Sequence, residues 1–194
     1  MKLSRADRSL LAEWSFTIDR SLLIALVTLV VIGVVLSAAA SPAVALKKGL
    51  PAYFFVERHI FFAVLGTILM MVISFFSPAG VRRLSAGLFI VAVAGMIGVL
   101  FSGAEINGAQ RWLNFGSYSL QPSEFAKPAF IVIIAWLFGE ASSRSDMPAL
   151  PFALALWAFF AGILVAQPDV GQTVLISSTA GLLYLLSLIH ISEP

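Results

Sequence analysis

Six runs of this chain lack charged side chains for long enough to decide what it can fold into: 21–46, 59–81, 84–104, 128–139, 147–168 and 170–192. A helix needs about 20 apolar residues to cross the hydrocarbon core of a bilayer. Five of the six runs reach that length directly. The fourth does so only if its helix starts near Pro122 and carries Glu124 and Lys127 into its first turns. Charges placed there are costly and by default point to function. With 60% hydrophobic and 11% charged residues, a water-soluble domain is excluded. The expected fold class is all-α: a polytopic membrane protein with six transmembrane helices.

The remaining composition excludes several functions. A net charge of +2 without a Lys/Arg-rich run gives no nucleic-acid surface. There is no cysteine, so disulfides and thiolate metal sites are absent, and His59 and His190 are isolated. Residues 1–20 form a polar leader (Lys2, Arg5, Asp7, Arg8, Glu13, Asp19, Arg20), with Trp14 as an interfacial residue. The apolar run behind it is too long for a signal peptide. Although Ala38-Ala39-Ala40 resembles a cleavage site, five more spans follow it. It reads as an uncleaved first helix.

The spans are expected at about 22–40 (stopped before Pro42), 60–76, 84–101, 122–139, a fifth ending near Gln167-Pro168, and 170–188. Pro78-Ala79-Gly80 breaks the second, and Arg82-Arg83 opens a short connection. Gly87, Gly95 and Gly98 give the third span a small-residue face suited to close packing. Residues 102–121 form a loop of twenty residues with turn signals at Gly103, Asn107-Gly108 and Gly116, too long for a plain connector. With the N-terminus cytoplasmic, seven Lys and Arg lie inside (Lys2, Arg5, Arg8, Arg20, Arg82, Arg83, Arg144) and five outside (Lys47, Lys48, Arg58, Arg111, Lys127). That excess favours an inside N-terminus. Whatever the orientation, six spans put the loops after the third and fifth helices on one face.

Those two loops hold the polar residues. Gln121-Pro122-Ser123-Glu124 and Gln167-Pro168-Asp169 each set a proline at a helix start, followed by a carboxylate in the first turn. Helix capping accounts for either one alone; two on one face beside an arginine suggest a site. Glu124 and Lys127, three apart, share a helix side. They read either as a self-compensated pair or as a lysine held towards an anion. Arg111-Trp112 reads as aromatic-belt anchoring, or as a guanidinium fork for phosphate oxygens in a loop that includes Gln110. Asp169, with Gln172 and Thr173, reads as a cap, as a partner for Arg111 or Lys127, or as an oxygen ligand for Mg²⁺ or Mn²⁺. From these residues alone a transporter, a membrane-embedded transferase and an assembly scaffold all stay open.

Three motifs in order narrow the choice: Asn107-Gly-Ala-Gln-Arg-Trp112, Gln121-Pro-Ser-Glu-Phe-Ala-Lys127 and Gln167-Pro-Asp-Val-Gly-Gln-Thr173. They resemble the SEDS family of FtsW- and RodA-like cell-wall polymerases, over nearly the whole chain. The Asp19-Arg20 start, the end of the first helix from Gly33 to Ser41, and the Arg-rich connection look more like the division-type branch than the elongation-type one. The resemblance implies a fold of roughly ten helices, of which this chain carries six as an N-terminal fragment, 21–188. It further implies a septal peptidoglycan glycosyltransferase of the bacterial cytoplasmic membrane that polymerises undecaprenyl-diphosphate-linked lipid II. Its partners would be a class B penicillin-binding protein and other divisome proteins. Lipid II flipping, a non-catalytic divisome scaffold and an elongation role are the alternatives. Substrate contacts carry over onto Gln110, Arg111, Trp112, Gln121, Glu124, Lys127 and Asp169. No catalytic residue carries over, because the family's catalytic Asp belongs to a loop after a seventh helix. The ending 189–194 departs from the family pattern and reads as a foreign tail.

Overall fold

Among the described residues, six helices meet the length and apolarity that a membrane crossing requires. A computed structural model describes residues 14, 18–102, 104–106, 109–115, 118–143 and 146–192. The leader charges Lys2, Arg5, Asp7, Arg8 and Glu13, the turn residues Gly103, Asn107, Gly108 and Gly116, Arg144, and Glu193-Pro194 lie outside the described residues. The chain divides into two units, Met1–Ser77 and Pro78–Pro194.

The first unit pairs α1 (Arg20–Lys47) with α2 (Phe54–Ser74). Asp19 is the N-cap of α1: its Oδ1 accepts from the backbone N–H of Ser21 at 2.8 Å and of Leu22 at 3.1 Å. At the other end Gly49 adopts φ +70°. Leu50 N then bonds Ala45 O and Gly49 N bonds Leu46 O, a Schellman closure that only a residue tolerant of positive φ makes cheaply. The helix runs through Pro42 instead of stopping before it. In lipid an unravelled backbone would lose its hydrogen bonds, so continuing the helix past one proline is favoured over ending it. At the end of α2, Trp14 donates its indole N–H to Ser74 Oγ at 2.8 Å and stacks on Phe75, the C-cap.

The second unit contains α3 (Pro78–Ser102), α4 (Pro122–Ser143), α5 (Ala149–Ala166) and α6 (Val170–Ser192). Pro78 opens α3 rather than merely ending the preceding helix, so Arg82 and Arg83 stand in its first turns and not in a connection. Proline suits a first helical position, where its missing N–H would have had no partner. Phe89 of α3, Phe130 of α4 and Phe160 of α5 meet at ring-centroid distances of 5.0 to 6.3 Å. Ile176 and Ala180 of α6 join the same core. Since lipid is as apolar as these side chains, packing complementarity rather than water exclusion holds the helices together. Of the glycines on α3, Gly95 makes the close approach: a Cβ there would lie 3.2 Å from Pro122 Cβ, whereas Gly87 and Gly98 face open space.

The nineteen residues between α3 and α4 are not only loop. They contain β1 (Ala104–Ile106), β2 (Ala109–Phe115) and β3 (Tyr118–Leu120), an antiparallel meander in the order β1-β2-β3. The pairs Ile106↔Ala109 and Phe115↔Tyr118 set two tight reversals, with an irregularity between Ala104 and Glu105. Leu113 reaches to 3.9 Å from the Cβ position of Gly95, which seats β2 against α3.

Candidate functional site

The sheet, the start of α4 and the turn between α5 and α6 meet at one end of the second unit. Two ion pairs stand there. Arg111 of β2 places Nη1 3.4 Å from Asp169 Oδ2, and Lys127 places Nζ 2.8 Å from Glu124 Oε2. The same-face argument for the loops after the third and fifth helices is thereby realised within the unit.

Each charge is positioned by its local backbone. Gln121 precedes α4, its carbonyl accepting from Glu124 N at 3.2 Å, so Glu124 lies in the first turn beside the positive end of the helix. Asp169 sits one residue before α6. Its Oδ1 accepts from Gln172 N at 3.3 Å, and its carbonyl receives both Thr173 N and Thr173 Oγ1. It is therefore an N-cap rather than a first-turn residue. Pro168 precedes it with φ +28°, not at a helical position.

Arg111 is more fully engaged than a free phosphate fork. Its Nη2 donates to Pro168 O at 2.5 Å and its Nε to Gln167 O at 3.3 Å. These carbonyls close α5, where the negative end of a helix favours a cation. The guanidinium thus ties β2 to the α5–α6 turn. Gln167, 2% exposed, adds a second tie: its Nε2 donates to Met96 O of α3 at 2.9 Å.

Gln172 links the two ion pairs. Its Oε1 accepts from Lys127 Nζ at 2.8 Å, and its Nε2 donates to Glu124 Oε1 at 3.4 Å. Only one amide orientation serves, because an ammonium has no acceptor and a carboxylate no donor. The result is a continuous polar chain, Glu124–Lys127–Gln172–Asp169–Arg111. Asp169 Oδ2 and Ser123 Oγ are buried, and neither has a hydrogen-bond partner among the described residues.

Of the residues selected from sequence, Arg111, Glu124, Lys127 and Asp169 come together. Gln121 contributes its backbone carbonyl. Gln110 lies in β2 opposite Glu105, and its side chain lies outside the described residues. Trp112 is half-buried and pairs with Ala104 through the sheet, with no hydrogen bond from its indole to the network among the described residues. Gln167 is absent from the sequence-derived site and Gln172 appears there only beside Asp169, although each stands inside one of the three motifs. The three-residue step from Asp169 to Gln172 was the available signal, since it puts both on one side of the first turn of α6.

The donor set does not suit Mg²⁺ or Mn²⁺. Asp169 faces a guanidinium, which repels a divalent cation, and Glu124 is committed to Lys127. No group of three or more His, Asp or Glu side chains able to hold a metal occurs among the described residues.

Apolar helices of spanning length, with charged groups closed on one another at one end of a bundle, define a multi-pass membrane protein. The sequence matches the family described as cell cycle protein, comprising FtsW, RodA and SpoVE, over residues 20–192. It is 41% identical over 190 residues to "Probable peptidoglycan glycosyltransferase FtsW" of Caulobacter vibrioides, covering 97% of this chain and 49% of that protein. To the protein of the same name from Tolumonas auensis it is 33% identical over 172 residues, covering 86% and 44%. Among solved structures, the rod shape determining protein RodA of Thermus thermophilus aligns with a TM-score of 0.66 at 25% identity, over 90% of this chain and 57% of that one. A chain from a structure on coordination of polymerization and crosslinking by a peptidoglycan synthase complex aligns with a TM-score of 0.62 at 28% identity, over 82% and 45%. This chain belongs to the FtsW/RodA/SpoVE family, the SEDS proteins, and lies nearest the FtsW branch. It spans about half the length of the curated relatives it matches.

Proposed function

We propose that the protein polymerises lipid II into glycan strands at the outer face of the bacterial cytoplasmic membrane, during septal wall synthesis, alongside a class B penicillin-binding protein. Family membership supports the activity class, and the name of the Caulobacter vibrioides relative supports the division branch. The structure of a peptidoglycan synthase complex among the similar folds supports a transpeptidase partner. The lysine and arginine count supports a cytoplasmic N-terminus.

The observation that carries the reading is the placement of the charges. They gather at one end of the helical unit, on a sheet and two helix starts. A transporter is expected to keep its polar groups near mid-membrane on broken helices. A network at one end suits a substrate whose diphosphate lies at the bilayer surface and whose lipid stays within it. In this reading Lys127 is the contact group. Two of its three N–H donors are taken, by Glu124 and Gln172, and the third remains for an anion. Arg111, Gln121 and Asp169 frame the site, with Gln110 and Trp112 flanking Arg111 on β2.

The test is a gel assay of glycan length with the full-length protein, its transpeptidase partner and lipid II. Polymer should form, and Lys127→Ala should reduce it by at least tenfold. A Lys127→Ala protein polymerising at the normal rate would remove the ammonium from the site.

A further inference from the structure

We propose that Gln172 is a positioning residue of this site: it aims the Lys127 ammonium at the substrate anion and keeps Glu124 from neutralising it completely. The proposal rests on the transferase reading above. Its basis is the triangle at the start of α6, where the Gln172 amide takes one Lys127 N–H at 2.8 Å and offers its own N–H to Glu124 at 3.4 Å. Lys127 and Glu124 share α4, and left alone they form a simple ion pair. The amide comes from another helix, so it draws the ammonium away from the α4 surface and towards the α6 start. The backbone N–H of Gln172 is in turn held by Asp169 Oδ1, and Asp169 faces Arg111. Lys127 thereby takes its direction from the α5–α6 turn as well as from its own helix.

A neutral amide is the side chain this task requires. A carboxylate at 172 would add a second negative charge to the ammonium and repel Glu124. A leucine would fill the volume and leave Lys127 to Glu124 alone. Lys127 is 14% exposed and Glu124 49% exposed, so the ammonium is the better shielded partner and feels the change more.

The experiment uses the full-length protein with its transpeptidase partner, comparing Gln172→Leu and Gln172→Glu with the parent. Gln172→Leu should raise KM for lipid II about tenfold while kcat changes less than about threefold, as loss of one charge-assisted hydrogen bond predicts. Gln172→Glu should be worse at neutral pH and recover towards the parent as pH falls. A protonated carboxyl again offers one acceptor to Lys127 and one donor to Glu124, and two carboxylates at hydrogen-bond distance share a proton readily. Asp169 and Arg111 are the other charged groups facing this point, and neither is altered.

A second readout needs no activity. The rate of amine acetylation at Lys127, followed by mass spectrometry, should differ at least about threefold between parent and Gln172→Leu, because the hydrogen bond restraining the ammonium is gone. Unchanged acetylation overturns the proposal, as does a kcat loss at constant KM or a Gln172→Glu pH profile parallel to the parent's. No polymer from the parent, with acetylation still altered, removes the transferase reading and leaves Gln172 as the group that orients Lys127.

Discussion

Gly95 of α3 and Pro122 of α4 stand so close that a methyl group on the glycine would meet the proline ring carbons at 3.2 and 3.3 Å. Pro122 is the first residue of α4, two before Glu124, and the Gly95 position also adjoins Leu113 of β2. One contact therefore sets the depth at which the polar end of α4 enters the bundle.

We predict that Gly95→Val lowers stability by about 1–3 kcal/mol, the usual range for overpacking a filled interior. Gly98→Ala, where the added Cβ meets nothing within 4 Å, should change it by less than about 0.5 kcal/mol. Thermal melting in detergent micelles measures both. Equal melting of the two variants would show that α3 and α4 do not rely on this contact.

The Arg111–Asp169 pair should behave as a strut. Arg111→Lys keeps the charge but loses the fork that serves Gln167 O, Pro168 O and Asp169 together. For hydrogen bonds to a charged group about 1.5–3 kcal/mol is typical, and the guanidinium is 31% exposed, which favours the lower end. A double-mutant cycle of Arg111→Met with Asp169→Asn should return a coupling of about 0.5–1.5 kcal/mol. Additive losses would mean that the two residues act independently.

The fold was mostly legible because bilayer thickness leaves few choices for a charge-free run of twenty residues. Where it was misread, the reason is local. A stop before Pro42 is a fair rule in water that fails in lipid, where backbone groups have no other partner. The sheet between α3 and α4 was hidden because β1 and β3 are three residues each, too short for an alternation to show. Helix parity alone puts Arg111 and Asp169 on one face. The role of Gln172 was not readable in the same way, since it depends on a helix-to-helix distance that sequence spacing does not encode.

Sidedness can be read with single cysteines, because the chain has none of its own. Ser119→Cys, exposed in β3, should react with a membrane-impermeant thiol reagent from outside the cell. Ser142→Cys, exposed near the end of α4, should react only after permeabilisation. The reverse pattern would invert the orientation, and labelling of both from outside would remove a span.

At the far end of the same bundle, Arg82 lies 4.7 Å over the Trp136 ring, whose indole N–H donates to Glu140 at 2.9 Å. Arg82→Gln should therefore lower stability by about 0.5–2 kcal/mol. Arg82→Lys should recover part of that. Fluorescence-detected melting of the purified protein reads the difference, and equal values for the Gln and Lys variants would assign no weight to the ring contact.

The pairing of Arg111 with Asp169 and of Lys127 with Glu124 sets two positive against two negative groups, so these four charges cancel within the network. Such an arrangement projects almost no field past a Debye length, about 8 Å at physiological salt. Electrostatic steering from solution requires an excess of one sign, and these four paired groups supply none. For the anionic lipid proposed above, attraction begins only when it is close enough to reach the remaining N–H of the Lys127 ammonium. Encounter then depends on how fast the lipid drifts sideways within its leaflet, and the capture rate should barely respond to added salt.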